Sequence, residues 1–173
     1  MKKIIAFLLA LVLACAMLSM TCFAAEPVTG EIYVKIDGID GMSDDAPHAR
    51  WIEGVDYKLN YAEDGTVSGI TFTHLIEPAT TKIIEYYMKH HSICEAKLNI
   101  CQYFAGKQYT VLDVYMRYVF ITGYEVIQLA DGTVAETVTL TADEVTVIEK
   151  PLVIGPDGQP ILYVPHASGD DVC

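Results

Sequence analysis

The chain has 173 residues, with 11 Lys and Arg against 23 Asp and Glu, a formal charge of −12 and 52% hydrophobic side chains. A surface this acidic repels phosphate backbones and anionic lipids, so nucleic acid is not an expected partner. The length suits a single core and leaves no room for a second large domain.

Met1, Lys2 and Lys3 precede an almost unbroken apolar run over residues 4–18, followed by Cys22-Phe23-Ala24-Ala25. This is the charged, apolar and small-residue order of a secretory signal peptide, with cleavage expected after Ala24. The run falls short of the ~20 residues that cross a bilayer as a helix, and no later segment approaches that length. A rival reading takes Val12-Leu13-Ala14-Cys15 as a lipoprotein signal that leaves Cys15 lipidated, but Cys15 sits inside the apolar run instead of at its end. Residues 1–24 are therefore assigned to the leader. The remaining 149 residues carry 9 basic and 23 acidic groups, a formal charge of −14, and are expected outside the cell.

The mature chain reads mostly as strands. Ile32, Val34 and Ile36 alternate with Tyr33 and Lys35, the period of a half-buried strand, before Asp37-Gly38-Ile39-Asp40-Gly41 breaks it. From Trp51 a second strand puts Val55, Tyr57, Leu59 and Tyr61 on one face, and Glu63-Asp64-Gly65 turns into a third over residues 67–74. Pro78 suits a first helical turn, and Ile83, Ile84, Tyr87, Met88 and His91 recur at helical spacing. Ala96, Leu98 and Ile100 mark a fourth strand and residues 109–121 a fifth. Residues 124–129 and 133–140 flank the hairpin signal Ala130-Asp131-Gly132. Residues 145–148 and 161–164 complete the set, separated by the turn Pro156-Asp157-Gly158, and residues 169–173 read as a flexible tail. The fold class is mainly β: a barrel or sandwich of about eight or more strands, within residues 25–168, with one flanking α-helix.

Cys94, Cys101 and Cys173 survive processing, and an odd number cannot all pair within one chain. Seven extended steps from Cys94 to Cys101 span on the order of 23 Å, against the ~7 Å limit of a disulfide, so these two should not bridge. Cys173 is the candidate for an intermolecular bridge in an oxidising compartment.

No phosphate-binding loop, dinucleotide-binding glycine motif, HExxH, GxSxG or CxxC is present, so neither catalysis nor a cofactor is expected. Three clusters hold chemistry-bearing side chains. Asp37, Asp40, Asp44 and Asp45 offer hard oxygen ligands, but without the alternating spacing of a calcium loop, and they read as acidic turn residues. His90, His91, Cys94 and Glu95 include metal-capable groups. Neighbouring helical residues point apart, however, and histidines also suit the negative end of a helix dipole. The 11 tyrosines, each an apolar body with a polar tip, fit either a barrel wall or a binding face. An enzyme would need several of Asp37, His48, His74 and His90 to converge in one pocket.

In order and spacing the segments resemble the haemolysin co-regulated protein family, Hcp, which forms the inner tube of type VI secretion machines. IYVKIDGIDGMSDD, residues 32–45, followed by His48 and Trp51-Ile52-Glu53, is similar to the family's opening strand, turn and second strand. ITFTHLIEPAT, residues 70–80, resembles the lead into the family's helix. EAKLNI, residues 95–100, is similar to the strand that follows it, and VTLTADEVTV, residues 138–147, to the closing hairpin. The match runs over about residues 32–152, with a weaker echo in GPDGQPILYV, residues 155–164.

The resemblance implies a compact β-barrel with a side helix, hexameric rings with a wide lumen, stacking into tubes, and a structural or carrier role without catalysis. The partners it implies are further copies of the chain and a small secreted protein carried in the lumen. Two features depart from the family's pattern: the leader, and residues 61–66, a short turn where many members carry a long glycine-rich arm. The expectation is an exported ring-forming protein whose interface residues are not assigned, with strand edges as the natural contact. The alternative is a secreted monomeric module that binds a ligand or surface on the same fold.

Overall fold

The structure, a computed structural model, describes residues 30–156 and 159–162. The leader and its cleavage site, Cys15, Cys173 and the tail 169–173 lie outside the described residues, as do Tyr163 and Val164 of the last expected strand. The strands are β1 (Glu31–Ile36), β2 (Ile52–Tyr61), β3 (Val67–Leu75), β4 (Ile93–Phe104), β5 (Lys107–Gln128), β6 (Val134–Glu149), β7 (Leu152–Ile154) and β8 (Pro160–Leu162). One helix, α1 (Ala79–Lys89), follows β3, and a 3-10 turn covers Ala46–His48.

The first six strands close into an antiparallel barrel in the order β1-β2-β3-β6-β5-β4, with β4 pairing back onto β1. β7 and β8 form a separate two-stranded hairpin. The apolar alternation read in the sequence becomes the barrel interior. Val34, Ile52, Ile70, Phe72, Leu98, Val114, Val138 and Leu140 are all fully buried there. Register fixes which of them meet, as Ile70 faces Leu140 and Phe72 faces Val138 across the β3–β6 seam.

Two strands are longer than the sequence pattern suggests. Residues 109–121 and 124–129 merge into one 22-residue β5, and residues 133–140 and 145–148 into one 16-residue β6. The pattern is interrupted because the sheet turns a corner. Cys94 and Glu95 of β4, Arg117 and Tyr118 of β5, and Asp143 and Glu144 of β6 are consecutive exposed pairs lying in adjacent rows. On one side of these rows Ile93, Val119 and Leu140 point inward; on the other Ala96, Met116, Val145 and Val147 do. Tyr118 adopts φ 54 at this corner, and the β5–β6 register shifts a few residues on, between Ile121 and Gly123. Such bends let a long ribbon wrap a small core without breaking its hydrogen-bond ladder.

Helix α1 buries Ala79 and Ile83 and lays Tyr86 and Tyr87 against the core, with the Tyr87 ring 6.2 Å from that of Tyr124 on β5. Pro78 is its N-cap. Met88, expected on the packed face, is 74% exposed. The helix ends at Lys89, because His90 takes a left-handed cap conformation that sends its amide to Tyr87 and the His91 amide to Tyr86. His91 lies beyond the last turn, against the Tyr86 ring at 4.1 Å.

Candidate functional site on the barrel wall

A polar row crosses the outside of the barrel beneath residues 44–51. His48 is 4% exposed, stacked on Tyr33 at 4.0 Å and met edge-on by Trp51. Its Nδ1 lies 2.6 Å from Asp45 Oδ2 and its Nε2 3.2 Å from Asn99 Oδ1. The Asn99 amide is oriented by donating to Asp113, which also accepts from Lys150. Both ring nitrogens of His48 thus face side-chain oxygens. This row seals the β1–β4 closure from outside and explains why Tyr33, at an outward position, is buried. Burial, with the hydrogen bond to Glu31, pushes the Tyr33 phenol far above its ordinary value.

Cys101 Sγ stands 4.0 Å from His48 Nε2, so Cys101, His48 and Asp45 have the order of a nucleophile, base and orienting acid. Three observations oppose that chemistry: the thiol is fully buried, burial raises its pKa, and His48 Nε2 is already engaged by Asn99.

A second polar cluster fastens α1 to the barrel. His74 and Glu136 face each other in the β3–β6 register and are 0% and 1% exposed. Glu136 accepts from Thr80 of α1 and from Tyr124 of β5, each at 2.8 Å. The Tyr124 phenol is pushed up to about 12 by burial and by this carboxylate. His74 Nδ1 donates to the Leu75 carbonyl at 2.8 Å, and its Nε2 stands 3.4 Å from Glu136 Oε2. Burial lowers the His74 pKa against the opposing pull of Glu136 and the Leu75 carbonyl. Glu77 caps the cluster, accepting from the Met42 amide at 2.8 Å; its other oxygen is buried without a hydrogen bond, 3.8 Å from His74 Nδ1.

Burial, with Glu53 and Glu136 nearby, raises the Glu77 pKa. A carboxyl whose folded pKa is raised contributes stability that is present below its unfolded value of 4.5 and lost as pH rises through the folded value. Glu77→Gln, which keeps an acceptor for Met42, is therefore expected to melt at or above the parent's temperature at pH 7, with the gap closing toward pH 4. Melting curves at pH 4, 5.5 and 7 check this, and a gap that widens on acidification contradicts it.

Elsewhere the wall carries exposed apolar side chains. Met42, Val55, Leu75 and Ile76 are 68%, 47%, 45% and 55% exposed; the first three, with Glu53 and Glu77, line a cavity of about 220 Å³. A larger groove of about 550 Å³ lies between Glu31, Tyr33, Asp44, Asp45, Glu53 and Tyr103. Closure removes full edge strands. Several strands still pair on one side alone for part of their length: β2 joins β1 no further than Gly54, β6 joins β3 no further than Thr141, β5 joins β4 no further than Val119, and β4 joins β1 no further than Cys101.

The residues singled out in the sequence do not converge. Asp40 pairs with Arg50, Asp45 with His48, and Asp44 lines the large groove, while Asp37 joins none of them. His90 is exposed at the helix cap, His91 rests on Tyr86, and Cys94 and Glu95 lie exposed on β4. Among the described residues no three His, Cys, Asp or Glu are placed to hold a metal ion. Cys94 and Cys101 are free thiols, one exposed and one buried. Of the four groups named for a catalytic pocket, His48 and His74 sit in separate buried clusters, and Asp37 and His90 in neither. Tyr61, Tyr103, Tyr115 and Tyr118 are exposed on the wall, whereas Tyr33, Tyr57, Tyr86, Tyr87 and Tyr124 pack inward or beneath other side chains. Asn99, Asp113 and Glu136, which organise the two clusters, were not among the candidates. Their signal becomes legible only once strand pairing is known.

A family model described as "Type VI secretion system effector, Hcp" matches residues 33–148. Hcp1 from Salmonella typhimurium superimposes with a TM-score of 0.63 at 24% identity, over 76% of this chain and 90% of that one. A type VI secretion system effector from Yersinia pestis gives 0.59 at 22% identity, over 69% and 88%. Secreted protein Hcp3 from Pseudomonas aeruginosa gives 0.59 at 11% identity, over 78% and 97%. No curated protein sequence matches the chain.

Proposed function

The chain belongs to the Hcp family, and from that membership we propose that it is an exported, non-catalytic structural subunit that assembles with its own copies into rings and, by stacking, tubes. One observation carries the reading: the family match spans β1 to β6, the whole closed barrel, together with α1. The uncovered apolar side chains on the wall are the surfaces such an assembly would cover. Among the described residues no helix is long and apolar enough to cross a membrane.

The leader adds an export route through cleavage after Ala24, with the product outside the cell. A hexamer whose lumen accepts a small secreted protein is the form this proposal takes. Subunits of formal charge −14 repel one another, so assembly should strengthen as salt rises toward 0.5 M.

Light scattering behind a sizing column on the mature protein, at high micromolar concentration and two salt levels, tests the proposal. A discrete multimer that persists or grows with salt is expected, and negative-stain images should show rings. A strictly monomeric species under every condition would refute self-assembly and leave the monomeric binding module in its place.

A further inference from the structure

We propose that the cavity between Met42, Val55 and Leu75, with the groove beside it, binds a lysine-rich segment of another protein, one lysine stem lying in the cavity with its ammonium at Glu53 and Glu77. The inference stands whether or not the chain assembles with its own copies.

Three stretches of backbone meet at the cavity. Residues 41–43 run beside 50–51, the Gly41 amide donating to the Arg50 carbonyl and the Ser43 amide to that of Trp51, and the Met42 amide donates to the Glu77 carboxyl. The β2–β3 register sets Gly54 opposite His74, which puts Leu75 across from Glu53. Hydrogen bonds thus fix the walls before anything binds, so little ordering is left to oppose binding.

The lining matches one kind of side chain. Met42, Val55 and Leu75 offer uncovered apolar surface, while Glu53 and Glu77 are the charged groups on the same space of about 220 Å³. One Glu77 oxygen meets no hydrogen-bond donor among the described residues. A purely apolar occupant would cover these carboxyls without pairing them, which is costly. A lysine lays its stem on apolar surface and carries ammonium donors to the carboxyl groups.

The groove indicates what flanks that lysine. Glu53, Gly54 and Val55 line it as well as the cavity, so the two adjoin, and Glu31, Asp44 and Asp45 continue the carboxylates through its 550 Å³ or so. Among the described residues no Lys or Arg lines either space. Tyr103, which also lines the groove and is exposed, adds a ring face that attracts a cation. Further lysines in the same segment complement such a surface. The chain itself does not supply them: outside the leader no two basic residues are adjacent, and Arg50, Lys82, Lys89, Arg117 and Lys150 are already ion-paired. The occupant is therefore a different protein, of opposite charge.

The test titrates labelled penta-lysine into the full exported protein and follows fluorescence anisotropy at about 0.15 M salt, where charges further than about 8 Å apart are largely screened. Saturable binding at one peptide per chain is expected. A pentamer of diaminopropionic acid, with the same charge on a short stem, should bind about tenfold more weakly, because it cannot reach the carboxyls across the apolar surface. Glu53→Gln should weaken penta-lysine about tenfold, and Glu63→Gln, which removes the same charge from the β2–β3 turn, less than about twofold. Each variant is first checked for the parent's circular dichroism. No binding, equal binding of the two peptides, or equal weakening by the two variants overturns the inference. So does a multimer that comes apart as the peptide binds, which would make the patch a contact between copies. A parent that stays monomeric and binds removes the ring reading and upholds this one.

Discussion

Gly69→Ala is expected to leave the protein unfolded or insoluble, a loss exceeding about 4 kcal/mol in a domain whose total stability is about 5–15 kcal/mol. Gly69 is buried where β3 is hydrogen-bonded to both neighbours, pairing with Asn60 of β2 and Thr141 of β6. A methyl group there would overlap the Leu140 carbonyl oxygen and crowd the Thr141 Cα. Both are backbone atoms of a strand held on its far side by β5, so neither can move without opening the seam. Gly65→Ala is the control. It sits in the β2–β3 turn at φ 84 with nothing near the added methyl, and should cost only about 1 kcal/mol of backbone strain. Urea unfolding of the two variants decides the matter: a Gly69→Ala midpoint close to that of Gly65→Ala would show that the seam yields.

The second large effect is expected at Glu136, where two replacements should differ sharply. Glu136→Ala strips the shared acceptor from Thr80 and Tyr124 and leaves His74 Nε2 facing a void, all within an enclosed cluster. Removing one partner from such a buried polar group costs about 3–5 kcal/mol, and α1 loses the tie at its first turn. Glu136→Gln should stay within about 1 kcal/mol of the parent. Its oxygen can accept from Tyr124, and its amide can donate to Thr80 Oγ1 and to the free Nε2 lone pair of His74, whose Nδ1 proton is committed to the Leu75 carbonyl. The side chain then carries no charge to desolvate. Chemical denaturation measures both, and hydrogen exchange across α1 reports on the tie. Equal losses for the two variants would mean that charge, not the hydrogen-bond count, holds the cluster.

Much of the barrel was legible from alternation alone, because one inward residue in two gives a plain signal along β1, β3 and the first part of β6. The signal failed where the sheet turns its corner. Asp143-Glu144 put two exposed residues in succession on β6, and Gly123 falls at the register shift of β5; each reads as a strand end although the backbone ladder continues through it. The stripe expected on α1 departs from the structure at its last two members, since Met88 has the right period but points to solvent and His91 falls beyond the helix end at Lys89.

The polar clusters were harder. Glu136 stands between Val134 and Val138 in an alternating series, and His74 two residues after Phe72. Each occupies an inward place, but neither means much until the register sets them opposite one another. The contribution of Asn99 and Asp113 depends on the segment 44–51 folding over β4, a long-range event that composition and spacing do not encode. The exposed apolar side chains were least legible, because Ile161 or Leu75 differs from a core residue only by where the closed wall leaves it.

The closing seams bear on the order in which the polypeptide takes shape. Glu31–Ile36 finds β2 nearby but must wait for residues 96–101 for its second neighbour, and residues 69–75 likewise wait for 135–141. Pairings so distant along the chain form slowly. A growing polypeptide therefore has no finished interior until most of its length exists, so the barrel closes late in the life of the nascent chain and not strand by strand as it emerges.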